Sequence, residues 1–274
     1  MLILLPPSEG KATSGTGPAV DPESLVLPAL APARREVLAA LEELCSGPED
    51  TALEVLGLSP GQADAIKRDL DAATAPTLRA ADLYTGVLYD RLGLPELLRE
   101  HPDRVRERVL VFSGLWGVVG PGDALPPYRL SMGVKLPPLG GLGAYWRKAM
   151  AAPLGELAAD RLLVDCRSAT YAAAFRPRGA AAERLVSVRV LREQVVGGRV
   201  ERSVVSHMAK ATRGDIARSL LADGVEAADV AELAAALRDL GHTVETPEAK
   251  PGAPRVLDVV VRDRARAPMS PCVG

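Results

Sequence analysis

The chain has 274 residues, 47% of them hydrophobic and 25% charged, and a net charge of −2. That length lets one large domain bury a core without disulfide or metal, and the composition excludes bulk disorder and fibrous classes. The near-neutral balance provides no global basic field for nucleic acid or an anionic membrane, so any such surface has to be local.

In chain order, residues 1–5 read as a buried strand running into a Pro/Ser/Gly loop over 6–18. Helical periodicity follows over 32–45, 49–56 and 60–73. Between the last two, Ser59 is suited to an N-cap and Pro60 to a first turn. The pair, spanning about 50–73, is shaped like a helix–hairpin–helix. Such a unit can present backbone N–H groups to phosphates, or serve as an ordinary corner of the core.

Residues 78–99 carry a helical pattern broken near Gly93, and 109–112 form a second buried strand ending in a Gly/Pro loop over 113–123. The alternation in 128–132 predicts a short strand; a helix is expected over 142–158 and a strand over 162–166. Residues 186–192 and 200–205 flank Gly197-Gly198 as a long β-hairpin near 186–205. Helices over 207–222 and 227–240 end at Gly224 and Gly241, and 256–261 is a last strand. Strands interleaved with helices predict one α/β domain over 1–261, a mixed central sheet surrounded by helices, with a flexible C-terminal tail over 262–274.

Cys45, Cys166 and Cys272 lie far apart, with no CxxC pair and no neighbouring His. That fits a reducing cytosol and argues against a disulfide framework or a zinc site. The apolar start has no basic n-region, and no later run reaches the ~18 residues of a membrane span. A soluble, cytoplasmic protein with no metal, no cofactor and no membrane partner is expected.

Four polar clusters fall at strand ends, where open α/β sheets place their sites. Ser8, Glu9 and Lys11 follow the first strand. Their Ser-x-x-Lys spacing lacks the helix start and second polar pair of serine acyl-enzymes, and Ala12 stands where a P-loop needs Ser or Thr. Ser113, Trp116, Tyr128 and Arg129 bracket the glycine-rich second loop, where Trp116 is either core or site. Ser168, a natural N-cap, and Tyr171 follow the strand over 162–166. At ~100° per residue, His207, Lys210 and Arg213 share one arc of a helix about 120° wide. Beside a helix N-terminus they read as an anion site or as a solvated basic stripe.

Three blocks carry a likeness. Leu83-Tyr84-Thr85-Gly86, the run from Phe112 to Gly133 and the run from Ser206 to Gly214 resemble the YaaA family of peroxide-stress proteins, also called UPF0246 or DUF328. The likeness runs from Met1 to about Val261. It implies a cytosolic bacterial protein that limits free-iron damage under hydrogen peroxide. It also implies a single α/β domain with a positively charged cleft, a helix–hairpin–helix-like element, DNA binding that favours distorted or non-canonical duplexes, and no settled enzymatic activity. The implied cleft residues are Lys11, Tyr84, Arg129, Lys210 and Arg213. The chain departs from some members in the first loop, where Ser-Pro-Ala-Lys-Thr is replaced by Pro6-Pro7-Ser8-Glu9-Gly10-Lys11. The Gly57 to Gly61 turn also lacks the Gly-hydrophobic-Gly spacing of helix–hairpin–helix DNA binders.

Two functions follow as expectations. The first is a DNA-binding stress protein, gripping phosphates with Lys11, Arg129, Lys210 and Arg213 and stacking an unpaired base on Trp116 or Tyr128. The second is an enzyme for an anionic small molecule or nucleotide, with Arg129, Lys210 and Arg213 on the anion and His207 or Glu9 as acid/base. Convergence of these side chains in a closed pocket marks the second; spread along an open groove marks the first. Direct iron binding is not expected, since no Cys/His cluster or Glu-x-x-His pair is present.

Overall fold

The computed structural model describes residues 1–197, 199–250 and 252–262, with all their side chains except those of Val196, Ser206 and His207. The strands are β1 (Leu2–Leu5), β2 (Leu78–Arg79), β3 (Val109–Ser113), β4 (Gly117–Val119), β5 (Ala124–Leu125), β6 (Lys135–Leu136), β7 (Gly140–Gly141), β8 (Leu163–Asp165), β9 (Leu185–Val196), β10 (Arg199–Ser203), β11 (Val244–Glu245) and β12 (Arg255–Arg262). The helices are α1 (Ala31–Ser46), α2 (Glu49–Leu56), α3 (Asp64–Leu70), α4 (Ala80–Leu83), α5 (Val87–Leu92), α6 (Leu94–Glu100), α7 (Pro102–Arg108), α8 (Leu142–Ala158), α9 (Ala169–Ala172), α10 (Ala180–Glu183), α11 (Ser206–Ala222) and α12 (Val230–Asp239).

The sheet is mixed and runs β11-β12-β9-β8-β1-β3-β4, with β10 paired to β9. Its middle is parallel: Ile3 pairs with Val109 on one side of β1, and Leu2 with Leu163 on the other. Strands covered on both faces need apolar side chains in both directions, and β1 and β3 meet that demand with Leu2–Leu5 and with Val109 to Phe112, all buried. Each such side chain contributes roughly 1.5–3 kcal/mol of burial. The expected hairpin forms β9 and β10, in register from Arg199–Val196 to Ser203–Arg192. β9 also pairs with β8 and β12, so the hairpin arm projects beyond the end of β8. Residues 263–274, most of the expected tail, lie outside the described residues, and Arg262 ends β12.

Two expected elements differ. Residues 128–132 form no strand, although their burial alternates as the pattern predicts, with Tyr128, Leu130 and Met132 inside. The reason lies in their backbone partners: the Arg129 N–H is taken by the Asp69 carboxylate at 2.6 Å instead of by a ladder. This segment also passes so close to Gly114 that a Cβ there would lie 2.4 Å from the Leu130 carbonyl oxygen. The helix expected over 78–99 is three short ones. Besides the break at Gly93, the chain opens at Tyr84, which forms an antiparallel bridge with Lys11. The Ala12 N–H bonds the Leu83 carbonyl at 2.9 Å, so the loop after β1 is stitched to the end of α4.

The unforeseen structural residue is Arg34, on α1 and fully buried. Its guanidinium donates to the carbonyls of Val26 (2.6 Å), Val118 (2.9 Å), Pro22 (3.0 Å) and Trp116 (3.2 Å), joining the loop before α1 to β4. Truncation would leave several buried carbonyls unpaired, at roughly 1–3 kcal/mol apiece before relaxation. Arg34→Ala is expected to lower unfolding free energy in urea by about 3–5 kcal/mol, with Arg34→Lys recovering little because an ammonium lacks the planar fork.

Candidate functional site

The parallel strands β1, β3 and β8 end on one edge of the sheet, which brings together the loops after Leu5, Ser113 and Asp165. Lys11, in the first loop, is partly buried. Its Nζ donates to the Ser8 carbonyl at 2.6 Å and lies 4.5 Å from the Tyr128 ring centroid and 5.6 Å from that of Tyr84. Behind it runs a chain of hydroxyls: Tyr84 and Tyr128 oxygens are 2.9 Å apart, and the Tyr128 oxygen is 2.7 Å from Ser113 Oγ. Ser113 Oγ accepts the N–H groups of Leu115 (3.2 Å) and Trp116 (3.0 Å), which locks the glycine-rich turn. Ser8 Oγ bonds the Gly10 carbonyl and accepts the Thr85 N–H at 3.1 Å.

In front of Lys11 opens a pocket of about 170 Å³, lined by Glu9, Lys11, Arg68, Tyr128 and Arg129 among others. This is smaller than the ~300 Å³ of sites for drug-sized molecules, so it takes one small group or the end of a larger ligand. Two of its features were missed in the sequence, Arg68 and the fully buried Asp69 behind it, both on α3. Asp69 Oδ1 accepts the Arg129 N–H, while Oδ2 is buried with no hydrogen-bond partner. A signal was available: Asp69 shares the inward face of α3 with Ala65 and Ile66, so an acid stands in an apolar stripe.

Burial dominates the electrostatics. It pushes the Lys11 ammonium down to about 8, with Asp69 opposing and Arg129 reinforcing the shift. It pushes the Asp69 carboxyl up to about 7, against the Arg129 N–H and the charges of Lys11 and Arg68. The Tyr84 and Tyr128 hydroxyls are held protonated, again by burial first. An amine and a carboxyl that both titrate near neutrality are suited to moving protons.

The remaining expected residues are placed as follows. Trp116 is fully buried and meets the Tyr128 ring edge-on at 6.5 Å, so it backs the pocket. Tyr171 is partly buried, and its hydroxyl accepts the Met132 N–H at 3.4 Å. Ser168 holds the N-cap position of α9 but is exposed and makes no capping bond. Its neighbour Arg167 is a structural clamp, paired in the interior with Asp165 at 2.7 Å and lying 4.2 Å from the Phe112 ring centroid. Arg213 turns to the Val188 carbonyl at 3.0 Å, Lys210 is exposed, and the His207 side chain lies outside the described residues. Neither Lys210 nor Arg213 lines the pocket. Gly214 in the same block serves packing, because a Cβ there would lie 2.3 Å from the Leu88 carbonyl oxygen on α5. A larger open depression of about 660 Å³, with Arg147, Phe175, Arg176 and Arg178 on its walls, contains none of the expected residues.

The Asp69 shift has a consequence for stability. Its folded value lies above the unfolded 3.8, so the folded state keeps a proton that the unfolded chain loses, and stability falls as pH rises from about 4 to about 7. Three units correspond to on the order of 4 kcal/mol. Urea unfolding of Asp69→Asn across that range is expected to show a flatter pH profile than wild type; parallel profiles would place the ionisation elsewhere.

Residues 1–246 match the model of the peroxide stress protein YaaA family. A UPF0246 protein of Streptomyces coelicolor is 52% identical over 96% of this chain and 99% of its own length. Another, from Corynebacterium efficiens, is 38% identical over 91% and 97%. A third, from Salinispora tropica, is 32% identical over 93% and 92%. With a family model spanning nearly the whole chain and relatives matched end to end, the protein belongs to the YaaA family of peroxide stress proteins.

Proposed function

We propose that this peroxide stress protein binds an anionic small molecule or nucleotide in the Lys11 pocket and acts on it as an enzyme. The observation that supports this reading is convergence: Lys11, Arg68, Arg129, Glu9 and Tyr128 line one small, half-open pocket of about 170 Å³. Gripping a DNA backbone calls for cations spread along a surface, without a buried carboxyl or a desolvated amine. In this reading Arg68 and Arg129 hold the anion, and Lys11, Glu9 and Asp69 handle protons. Among the described residues no group of three or more His, Cys, Asp or Glu could hold a metal ion, and no helix is long and apolar enough to cross a membrane. In this reading any limit on free-iron damage runs through the pocket's ligand.

A second reading, DNA binding, draws on a specific feature. Arg68 shares α3 with the exposed Lys67, and α3 follows α2 and the turn at Gly57, the segment expected to resemble a helix–hairpin–helix. A distorted or single-stranded DNA laid on that unit would bring one nucleotide to the pocket mouth.

Calorimetric titration with AMP, ribose 5-phosphate, pyrophosphate and short single- and double-stranded oligonucleotides, at about 50 and 200 mM salt, separates the readings. The expected result is binding of a small phosphate compound weakened at least tenfold, about 1.4 kcal/mol, by Arg129→Ala and untouched by Lys210→Glu. Binding of oligonucleotides alone, steeply salt-dependent and lost in Lys210→Glu, would overturn the first reading in favour of the second.

A further inference from the structure

Lys11 differs from the other lysines of the chain. Lys67, Lys135, Lys148, Lys210 and Lys250 are all exposed, whereas Lys11 is partly buried against two aromatic rings. A buried ammonium ordinarily has a carboxylate partner. Among the described residues Lys11 has a backbone carbonyl, that of Ser8, and no ion pair. The acid that senses it most strongly, Asp69, leaves Oδ2 buried and unbonded. An amine with so little to hold its proton, at the floor of a pocket flanked by two arginines, has the setting of a nucleophile.

We propose that Lys11 is a Schiff-base lysine: its Nζ condenses with the carbonyl carbon of a small aldehyde or ketone whose phosphate, or comparable anionic group, is held by Arg68 and Arg129. The proposal rests on the pocket's reading as an anion site and adds the substrate's reactive group. The amine lone pair attacks the carbonyl carbon, a C–N bond forms, and the carbonyl π pair moves to oxygen, which takes up a proton while nitrogen releases one. The nitrogen lone pair then forms the C=N π bond as the C–O bond breaks, the hydroxyl takes the remaining nitrogen proton and leaves as one water, and the imine remains. No oxidation state changes, so no further reactant is required. Glu9 in the pocket wall and Asp69 behind it are the groups that carry the protons. The same chemistry is offered by a free sugar phosphate and by the aldehyde of an abasic nucleotide in DNA.

The pH dependence follows from the groups facing Lys11: Asp69 and Glu9, the charges of Arg68 and Arg129, and the protonated tyrosines Tyr84 and Tyr128. With the amine titrating at about 8, its reaction rate should reach half its maximum near that pH.

The test uses the full chain, borohydride trapping and peptide mass spectrometry, with glyceraldehyde 3-phosphate, glyceraldehyde and an abasic-site oligonucleotide as separate probes. The expected result is reduced adduct on Lys11 at least tenfold faster than on any other lysine. It should be suppressed by the carbonyl-free glycerol 3-phosphate and slowed about tenfold in Arg129→Ala. Faster trapping of the sugar phosphate than of the oligonucleotide assigns the small-molecule source, and the reverse order assigns DNA. Adduct spread over the exposed lysines with none on Lys11 overturns the proposal, while protection by glycerol 3-phosphate in calorimetry would still support the anion pocket. Equal labelling of Lys11 by glyceraldehyde and its phosphate, with no suppression, keeps the reactive amine but overturns the anion reading beneath it.

Discussion

The bond from the Arg129 N–H to the Asp69 carboxylate ties together parts of the chain that no sheet ladder connects. Through it the segment over 127–132 leaves the glycine-rich turn, crosses to α3 and presents Tyr128 and Arg129 to the loop after β1. Without that acceptor, a backbone donor close to the interior would stand unpaired, at about 1–3 kcal/mol. The bond also explains why an acid is kept on the apolar face of α3. Its second oxygen, unbonded, leaves the carboxyl expensive to ionise, and that places a proton next to Lys11. One contact thus sets a chain path, a pocket wall and a titration.

The scaffold around this contact relies on arginines used as structural forks. Arg34 fastens β4 to the loop before α1 through backbone carbonyls, and Arg167 fastens the end of β8 through Asp165 and the Phe175 carbonyl. Both lie in the interior, where a point charge could not satisfy several acceptors in one plane. With lysine so scarce in the chain, the excess of arginine is partly structural. Lys11 is the reverse case. A guanidinium stays charged at any physiological pH, so only a lysine there can supply a neutral amine.

The sheet was legible because its signals are local. The apolar runs of β1, β3 and β12, the Gly-Gly turn between β9 and β10, and the helical periods of α1, α8 and α11 each declare themselves within a dozen residues. What escaped depends on distant partners. Residues 128–132 have strand-like alternation, but a ladder needs a neighbouring strand, and Asp69 took the donor. The opening at Tyr84 inside an apparent helix is caused by pairing with Lys11, which lies far upstream. In the site, Lys11, Ser113, Tyr128 and Arg129 could be singled out from loops after strands, and Tyr84 from the family likeness. Asp69 could not, because its role depends on what α3 is packed against. Helical geometry puts His207, Lys210 and Arg213 on one arc, and the family likeness joins Lys210 and Arg213 to the cleft; in the structure α11 packs against α5 and β9, and Arg213 turns to a strand carbonyl.

All nine Phe, Trp and Tyr residues lie between Tyr84 and Phe175, and the pocket gives that clustering a physical meaning. Tyr84, Tyr128 and Trp116 pack behind the pocket, and the two phenol hydroxyls are already engaged: they bond each other, and that of Tyr128 also bonds Ser113, whose Oγ takes two backbone donors. What remains for Lys11, beyond the Ser8 carbonyl, is ring face. A ring face returns about 0.5–2 kcal/mol to an ammonium. Taking that ammonium out of water costs several kcal/mol even after relaxation. Desolvation therefore wins, and the direction of the Lys11 shift agrees. Replacing water by tyrosine rings whose hydroxyls are already engaged is how this interior shifts the Lys11 ammonium toward the neutral amine.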